Sequence, residues 1–189
     1  MNSKINPNDI LACIIEEKYR EIQQTVDSKK RFYKIYQLEG NAIGQIGEKF
    51  ARNIISKITE IENIKDVIHD EYDIRTCDGI TFEIKTARHG RNDTFQFNGI
   101  NPHYNVDYII CIGICGDEAL YRIIKKRNEL VYVHEKAKRG WYIKNDDFSK
   151  KIVAMNPGNE VNFKLTLAKK NLISIENLLK DLKEILRNR

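Results

Sequence analysis

Three charged residues stand out in the stretch EYDIRTCDGITFEIKTARHG, which covers residues 71–90. Asp73 and Glu83 are separated by nine residues, and Lys85 lies two positions beyond Glu83. Two runs of alternating apolar residues flank a break at 77–79, and this pattern predicts a β-hairpin. Strands that pack against a core normally avoid charges, so these three side chains are candidates for chemistry.

The register of the predicted hairpin decides whether the charges converge. A three-residue loop, with Gly79 in the left-handed conformation, places Asp73 directly opposite Glu83. A two-residue turn would instead place Asp73 opposite Ile84, on the other face. We prefer the first register because it separates the charges from the apolar residues, which can then face the core. Lys85 shares the face of Glu83, because residues two apart in a strand point the same way.

The chemistry that suits this group is hydrolysis of a phosphodiester. Two carboxylates with Cβ atoms ~5 Å apart repel each other unless a positive charge lies between them. Oxygen ligands without Cys or His favour Mg²⁺, which also accepts phosphate oxygens. Lys85 would orient the attacking water, and Asp70 and Glu48 are candidate supporting carboxylates. The alternative is a salt-bridged strand face in which Lys85 only compensates Asp73 and Glu83.

The surrounding sequence predicts the elements that position this hairpin. Apolar residues at helical spacing predict a helix from about residue 8 to 26, continued over 32–38, and a second helix over 48–61 opened by the glycines at 44 and 47. Predicted strands cover 67–76, 80–87, 108–114, 119–124, 130–133, 141–143 and the alternating residues 161–167. A last helix begins at Ser174. These elements predict an α+β (α/β/α-like) fold, with a central mixed β-sheet flanked by helices.

Composition and charge narrow the function classes. The 189 residues suffice for one domain without disulfide or metal staples, and the four cysteines do not form a disulfide or zinc pattern. The longest apolar runs fall far short of the ~20 residues that span a bilayer, so we expect a cytoplasmic protein with no membrane contact. Residues 41–120 carry 8 basic and 13 acidic groups, whereas 121–189 carry 17 and 8. This distribution suits a protein that holds a cation and grips a polyanion, or else simply a solvated lysine-rich surface.

The Asp, Glu-x-Lys arrangement resembles the PD-(D/E)xK nuclease superfamily, although the Pro before the Asp is missing. A longer match, over about 42–167, resembles the type II restriction endonucleases formed by the PvuII restriction endonuclease and its relatives. The segment TFQFNGINP (94–102) is similar to that family's recognition segment, and MNPGNEVNFK (155–164) is similar to an Asn-Pro loop whose Asn reads a base. Where the known enzyme has histidines, this chain has the residues Phe97, Asn98 and Gly99.

The resemblance implies roles for individual residues. It makes Asp73, Glu83 and Lys85 catalytic and assigns metal binding to Asp73, Glu83, Ile84 and Asp70, with Mg²⁺ as the cofactor and Mn²⁺ able to replace it. It also implies a set of DNA-binding residues: Gln96, Asn98, Gly99, Asn101, Asn156 and Arg88. Ordinary turn positions are the alternative for Asn98 and Asn156, because Asn-Gly and Asn-Pro favour turns.

The resemblance further implies a homodimer that cuts double-stranded DNA site-specifically, leaves 5′-phosphate ends and is paired with a DNA methyltransferase. Residues 1–40 would form a helical dimerisation arm, 41–168 the catalytic and DNA-recognition core, and 169–189 a C-terminal helix with no counterpart in the family. Two alternatives stay open. One is a structure-specific nuclease for junction resolution or repair, and the other is a non-catalytic DNA-binding module.

Overall fold

A computed structural model of the chain describes residues 29–62, 71–158 and 160–187, together with the single positions 14, 17 and 20. Most of the predicted dimerisation arm therefore lies outside the described residues, as do Asp70 and the predicted strand residues 67–70. The end of the arm is described. It forms a 3₁₀ helix, Tyr33–Gln37, where the sequence predicted a continuing α-helix.

The described elements comprise three α-helices and eleven strands, with short 3₁₀ helices between them. The α-helices are α1 (Gly40–Ile55), α2 (Lys126–Glu129) and α3 (Leu178–Arg187). The strands are β1 (Ile74–Arg75), β2 (Thr81–Arg88), β3 (Thr94–Ile100), β4 (Tyr108–Ile114), β5 (Ala119–Lys125), β6 (Leu130–Val133), β7 (Gly140–Asn145), β8 (Phe148–Lys151), β9 (Val153–Ala154), β10 (Phe163–Ala168) and β11 (Ile173–Ser174). The further 3₁₀ helices are Arg91–Asp93, Lys169–Asn171 and Ile175–Asn177.

The central sheet has five strands in the order β1-β2-β4-β5-β11. β2 and β4 are parallel, whereas the other neighbours are antiparallel, so the predicted mixed sheet is confirmed. The parallel pair is fastened at its start by Asp107, whose Oδ2 accepts hydrogen bonds from both the backbone N–H and the hydroxyl of Thr81 at 2.9 Å. Strand β4 is apolar on both faces, as expected of a strand covered on both sides, whereas β2 carries Glu83 and Lys85 on one of its faces.

The two faces of the central sheet are covered differently. Helices α1 and α3 and the Tyr33–Gln37 turn pack on one face, around Phe82, Ile84 and Ile110. The other face packs against a second sheet, β3-β10-β9, around Phe95, Phe97 and Ile109. In the described ranges the sheet is thus flanked by helices on one side and by strands on the other, whereas the sequence predicted helices as the flanking layers. Strands β6, β7 and β8 form a third sheet.

Helix α1 begins and ends earlier than predicted. Gly44 and Gly47 lie inside it, and its buried face is formed by Ile43, Gly47, Ala51 and Ile55 at intervals of four residues. A Cβ atom at position 47 would lie 1.7 Å from Thr86 Oγ1 of β2. Gly47 is therefore the point where the helix backbone approaches the sheet and does not mark a helix start.

Among the strands, β1 covers only Ile74–Arg75 of the predicted strand over 67–76, and the sequence did not predict β3, β8, β9 or β11. Several other boundaries follow the predictions. β4 and β6 have the predicted bounds, and β2, β5 and β7 differ by one or two residues. At the C-terminus, the hydroxyl of Ser174 accepts a hydrogen bond from the Glu176 N–H, and a 3₁₀ turn precedes α3. None of the helices in the described ranges is long and apolar enough to cross a membrane.

Candidate active site

The hairpin that carries the three charged residues has the predicted register. Ile74 pairs with Phe82 and Arg75 with Thr81. Asp73 lies just before β1, at the position that this register, if continued, would set opposite Glu83. The Asp73 N–H donates to the Phe82 carbonyl at 2.9 Å. The loop is closed by Gly79, whose φ of +81° is readily adopted only by glycine.

Asp73 is held through both its side chain and its backbone. Its Oδ2 accepts a hydrogen bond from the Ile84 N–H at 2.6 Å, and its carbonyl oxygen accepts one from Arg52 Nη2 at 2.7 Å. Burial raises the pKa of the Asp73 carboxyl group above its usual value, although the Ile84 N–H and the charges of Lys85 and Arg52 oppose the rise. Ile84, which the resemblance assigns to metal binding, therefore contributes its N–H to orienting Asp73.

Glu83 is the most enclosed charge of the group. The residue is only 3% exposed, and its Oε1 lies 2.9 Å from Lys85 Nζ. Its Oε2 is buried and has no hydrogen-bond partner among the residues that the structure describes. Burial raises the pKa of Glu83, whereas the ammonium groups of Lys85 and Lys126 lower it. A buried carboxylate oxygen without a partner is costly, so this atom is suited to receive a ligand.

Lys85 lies beside both Glu83 and strand β3. Its side chain is partly exposed, so its ammonium group can meet solvent. A Cβ atom at Gly99 of β3 would lie 3.6 Å from Lys85 Nζ, and Gly99 has a φ of +77°. The fold thus brings Gly99, one of the predicted DNA-binding residues, into contact distance of the predicted catalytic lysine.

Glu48, on α1, belongs to the same electrostatic group. Its pKa is raised by partial burial and by the charge of Asp73, and it is lowered by Lys85 and Arg52. Glu48 is exposed as a residue, so it lies at the rim of the site and not inside it. The supporting carboxylate predicted from the sequence is therefore close to Asp73. Asp70 cannot be compared in this way, because it lies outside the described residues.

Two residues of the site were not predicted from the sequence. Arg52 lies four positions after Glu48, and this helical spacing could have indicated that both face the hairpin. Lys126 is buried and acts electrostatically on Glu83, but it follows β5 in a run of basic residues that gives no sign of burial. Burial lowers the pKa of Lys126, whereas the charges of Glu83 and, to a smaller extent, Glu71 favour its charged form.

The carboxylates fit a hard divalent cation. Within the described ranges, no three His, Cys, Asp or Glu side chains are grouped so that they could hold a metal. The site therefore offers two carboxylates, Asp73 and Glu83, and Glu83 contributes the buried Oε2. This set suits Mg²⁺, which binds proteins through one or two carboxylates and keeps several waters. A cation would also offset the cost of the buried Glu83 carboxylate and the partly buried Asp73 carboxylate.

The predicted DNA-binding residues divide into two groups. Gln96 and Asn98 are exposed on β3 and are joined by a hydrogen bond of 3.1 Å from Gln96 Nε2 to Asn98 Oδ1. Asn156 is exposed in the loop between β9 and β10, which belong to the same sheet. These three side chains are free to meet a ligand. The alternation of side chains along β3 explains the exposure of Gln96 and Asn98, because Phe95 and Phe97 point into the core.

Asn101 and Arg88 form hydrogen bonds with other parts of the protein. Asn101 is buried, and its Oδ1 accepts a hydrogen bond from the His103 N–H at 2.9 Å. Arg88 donates through Nη1 to the carbonyls of Tyr36 and Leu38, both at 3.3 Å. The structure thus places Asn101 in a turn and ties Arg88, the last residue of β2, to the segment before α1.

No protein-family model matches the chain, and no curated protein sequence is significantly similar to it. The function proposed below therefore rests on the motif and on the geometry of this site.

Proposed function

We propose that this protein is a type II restriction endonuclease that hydrolyses double-stranded DNA at a specific sequence. The observation that carries the proposal is the convergence of Asp73, Glu83 and Lys85. Asp73 Oδ2 accepts from the N–H of Ile84, the residue after Glu83; Lys85 Nζ lies 2.9 Å from Glu83 Oε1, and Glu83 Oε2 lacks a hydrogen-bond partner in the described part of the chain. A purely structural salt bridge would not require the second oxygen to be buried and unpaired.

Asp73 and Glu83 would hold Mg²⁺, with Mn²⁺ able to replace it, and Ile84 and Asp70 are the further ligands that the motif implies. When bound, the cation supplies Lewis-acid polarisation of the scissile phosphate and neutralises charge that develops on it. The chain's own residues prepare this geometry. Arg52 and the Ile84 N–H fix Asp73 from two sides, so its carboxylate does not need to reorganise during the reaction.

Lys85 has the chemical task of orienting the attacking water. Its ammonium group is paired with Glu83 Oε1 and is partly exposed, so one N–H can point to the carboxylate while another holds a water molecule. The same positive charge stabilises the phosphate oxygens as negative charge accumulates on them. Each subunit would cut one strand and leave a 5′-phosphate and a 3′-hydroxyl.

DNA recognition is proposed for the exposed amides of the second sheet. Gln96 and Asn98 can donate and accept hydrogen bonds at base edges in the major groove, and Asn156 can do so from the adjacent hairpin. Gly99 has no side chain beside Lys85, so the DNA backbone can approach there closely. The basic last third of the chain, with 17 basic and 8 acidic groups, favours binding to phosphates.

The proposal extends to the assembly and its setting. We propose a PD-(D/E)xK core in a cytoplasmic homodimer, whose two-fold symmetry would match a palindromic or near-palindromic site. The N-terminal residues would supply the dimer arm, and a DNA methyltransferase would protect the host's own sites. Sedimentation of the purified protein with and without DNA measures whether the dimer forms.

The decisive experiment compares three proteins on phage or plasmid DNA with Mg²⁺. The wild type should give discrete, reproducible fragments. Lys85→Ala should cut at least about 100-fold more slowly, because it removes the group that orients the water. Lys57→Ala is the matched control: it removes an equal charge from an exposed position after α1, outside the basic last third of the chain, and it should cut like the wild type.

Three other results would contradict the proposal. Cutting of branched DNA alone, with circular plasmid left intact, would indicate a structure-specific nuclease. Binding without any Mg²⁺-dependent cutting would indicate a non-catalytic DNA-binding module. Undiminished cutting by Lys85→Ala would show that the proposed mechanism is wrong.

A further inference from the structure

Lys126 is a buried lysine whose partners lie in one short turn. The residue is 4% exposed at the start of α2, where a charged ammonium group is stable only if it is well paired. Its Nζ donates hydrogen bonds to the carbonyl oxygen of Asn101, at 2.7 Å, and to that of Tyr104. Both carbonyls belong to the turn between β3 and β4. The side chain thus reaches across 22 to 25 positions of sequence to hold this turn.

The turn itself is well ordered by further hydrogen bonds. Asn101 Oδ1 accepts from the His103 N–H at 2.9 Å, and the Asn101 carbonyl also accepts from the Tyr104 N–H at 3.4 Å. The backbone N–H of Lys126 donates to the Asp107 carbonyl at 2.9 Å, close to the start of β4. Lys126 therefore fastens both the turn after β3 and the segment that leads into β4.

The same lysine acts on the candidate catalytic carboxylate. The charge of Lys126 lowers the pKa of Glu83, and in return Glu83 and Glu71 favour the charged form of Lys126 against the effect of its burial. The positive charge of Lys85 acts in the opposite direction and lowers the pKa of Lys126. Glu83 thus interacts electrostatically with two ammonium groups. Lys85 is paired with it directly, and Lys126 is bound to the end of the strand that carries Gln96 and Asn98.

We propose that Lys126 is a positioning residue that clamps the 101–104 turn at the end of β3, the strand whose Gly99 lies beside Lys85, and thereby couples base recognition on β3 to cleavage. Its part in cleavage rests on the proposed nuclease function. The clamp itself does not, because it is a property of the folded chain. In this arrangement, displacement of β3 by an incorrect DNA sequence pulls on the turn and shifts the surroundings of Glu83. Misplacement of a reacting group by about 1 Å can lower a rate by about 100-fold.

The clamp is tested by amide hydrogen exchange of the full chain without DNA or metal. In the wild type, the amides of His103 and Tyr104 should be protected although they lie outside any strand. Lys126→Met should speed their exchange by about 10-fold to 100-fold, as expected for loss of hydrogen bonds to a charged donor. Lys126→Arg should restore protection, at least in part. Lys125→Met, the adjacent exposed lysine, should leave exchange unchanged.

The coupling is tested by cleavage kinetics on the best DNA site and on single-base variants of that site. Lys126→Met should lower kcat about 10-fold with a smaller change in KM. It should also reduce the ratio of kcat/KM for the correct site to kcat/KM for the incorrect sites. Lys126→Arg should recover both quantities. Unchanged kcat and discrimination in a folded Lys126→Met protein would overturn the coupling.

The two tests can contradict the clamp and the coupling independently of each other. Fast exchange of His103 and Tyr104 in the wild type would overturn the clamp, and this measurement stands even if Lys126→Met does not fold. Absence of any cutting by the wild type would overturn the nuclease function and, with it, the coupling. The exchange data would then still decide whether Lys126 holds the turn.

Discussion

At the residue scale, the site combines burial with charge in a way that makes it sensitive to protons. Burial raises the pKa values of Glu48, Asp73 and Glu83. The charge of Lys85 opposes this rise in all three, whereas the charge of Asp73 adds to it for Glu48 and Glu83. A group whose pKa is raised on folding binds its proton more tightly in the folded state. These carboxyls therefore favour the folded state at low pH and lose that contribution as the pH rises through their raised pKa values.

The direction of these pKa shifts predicts how the stability of the protein depends on pH and on Mg²⁺. Above the ordinary carboxyl values of 3.8 for Asp73 and 4.5 for Glu83, the metal-free protein should lose stability as the pH increases. Mg²⁺ should reverse part of the loss, raising the melting temperature by about 3 °C at millimolar concentration, and its effect should grow with pH because protons compete with it. Thermal melts with and without Mg²⁺ across about pH 5 to 8 measure both trends.

Glu83→Gln is the matched control for that measurement, because it keeps the shape of the side chain and removes the titration. Its melting temperature should depend less on pH than that of the wild type and should respond less to Mg²⁺. Equal Mg²⁺ effects in the two proteins would contradict the assignment of Glu83 as a ligand.

The sequence was informative about some of these residues and silent about others. The register of the hairpin follows from a local rule, because a loop that ends in a left-handed glycine fixes the register of a short hairpin. No local sequence pattern predicts that Lys126 is buried. Its burial depends on the Asn101 and Tyr104 carbonyls, which only the folded chain brings within reach.

At the element scale, the packing of α1 on β2 depends on one glycine. Gly47→Ala should destabilise the protein by about 1 to 3 kcal/mol, because its Cβ would overlap Thr86 Oγ1 and force the helix away from the sheet. Gly44→Ala is the matched control in the same helix. The nearest atom to its added Cβ is Glu48 Oε1 at 4.0 Å, so it should be neutral or stabilising by about 0.5 to 1 kcal/mol.

Urea unfolding of the two glycine variants measures this difference. Thr86→Ala combined with Gly47→Ala should recover part of the loss, because it removes the hydroxyl oxygen that the new methyl group meets. Similar stability of Gly47→Ala and Gly44→Ala would contradict the proposed close contact.

The same glycine explains why the helix boundary was predicted wrongly. Glycine is a weak helix former, so Gly44 and Gly47 favour a helix start when only local propensity is considered. The tertiary contact with Thr86 outweighs that propensity. The bounds of β4 were predicted correctly because its long apolar run, free of glycine until Gly113, gives a strong and purely local pattern.

At the scale of the whole molecule, the C-terminal helix is part of the core. Leu178 and Leu182 of α3 are buried in the cluster that includes α1 and β4. The Tyr121 hydroxyl donates to Asp181 Oδ2 at 2.6 Å, which ties α3 to the central sheet. The sequence predicted the helix, but a helical stripe alone does not reveal which surface it will cover.

The prediction at this scale concerns two leucines of that helix. Leu182→Ala should lower the free energy of unfolding by about 2 to 5 kcal/mol, because the side chain is fully buried and its removal leaves a cavity. Leu179→Ala, at a position that is 37% exposed, should lower it by less than about 1 kcal/mol. Chemical denaturation compares the two. Equal losses would show that α3 does not pack as described.

The bond between Thr81 and Asp107 has a consequence for the order of folding. Asp73 and Glu83 meet across a hairpin that closes locally, whereas Thr81 and Asp107 are 26 positions apart and their meeting starts a parallel strand pair. Local loops close with less loss of entropy than distant ones, and parallel pairing is slow. The two carboxylates should therefore face each other early in folding, before β4 and Lys126 arrive beside them. Until then their mutual repulsion is exposed to water, where it is weak.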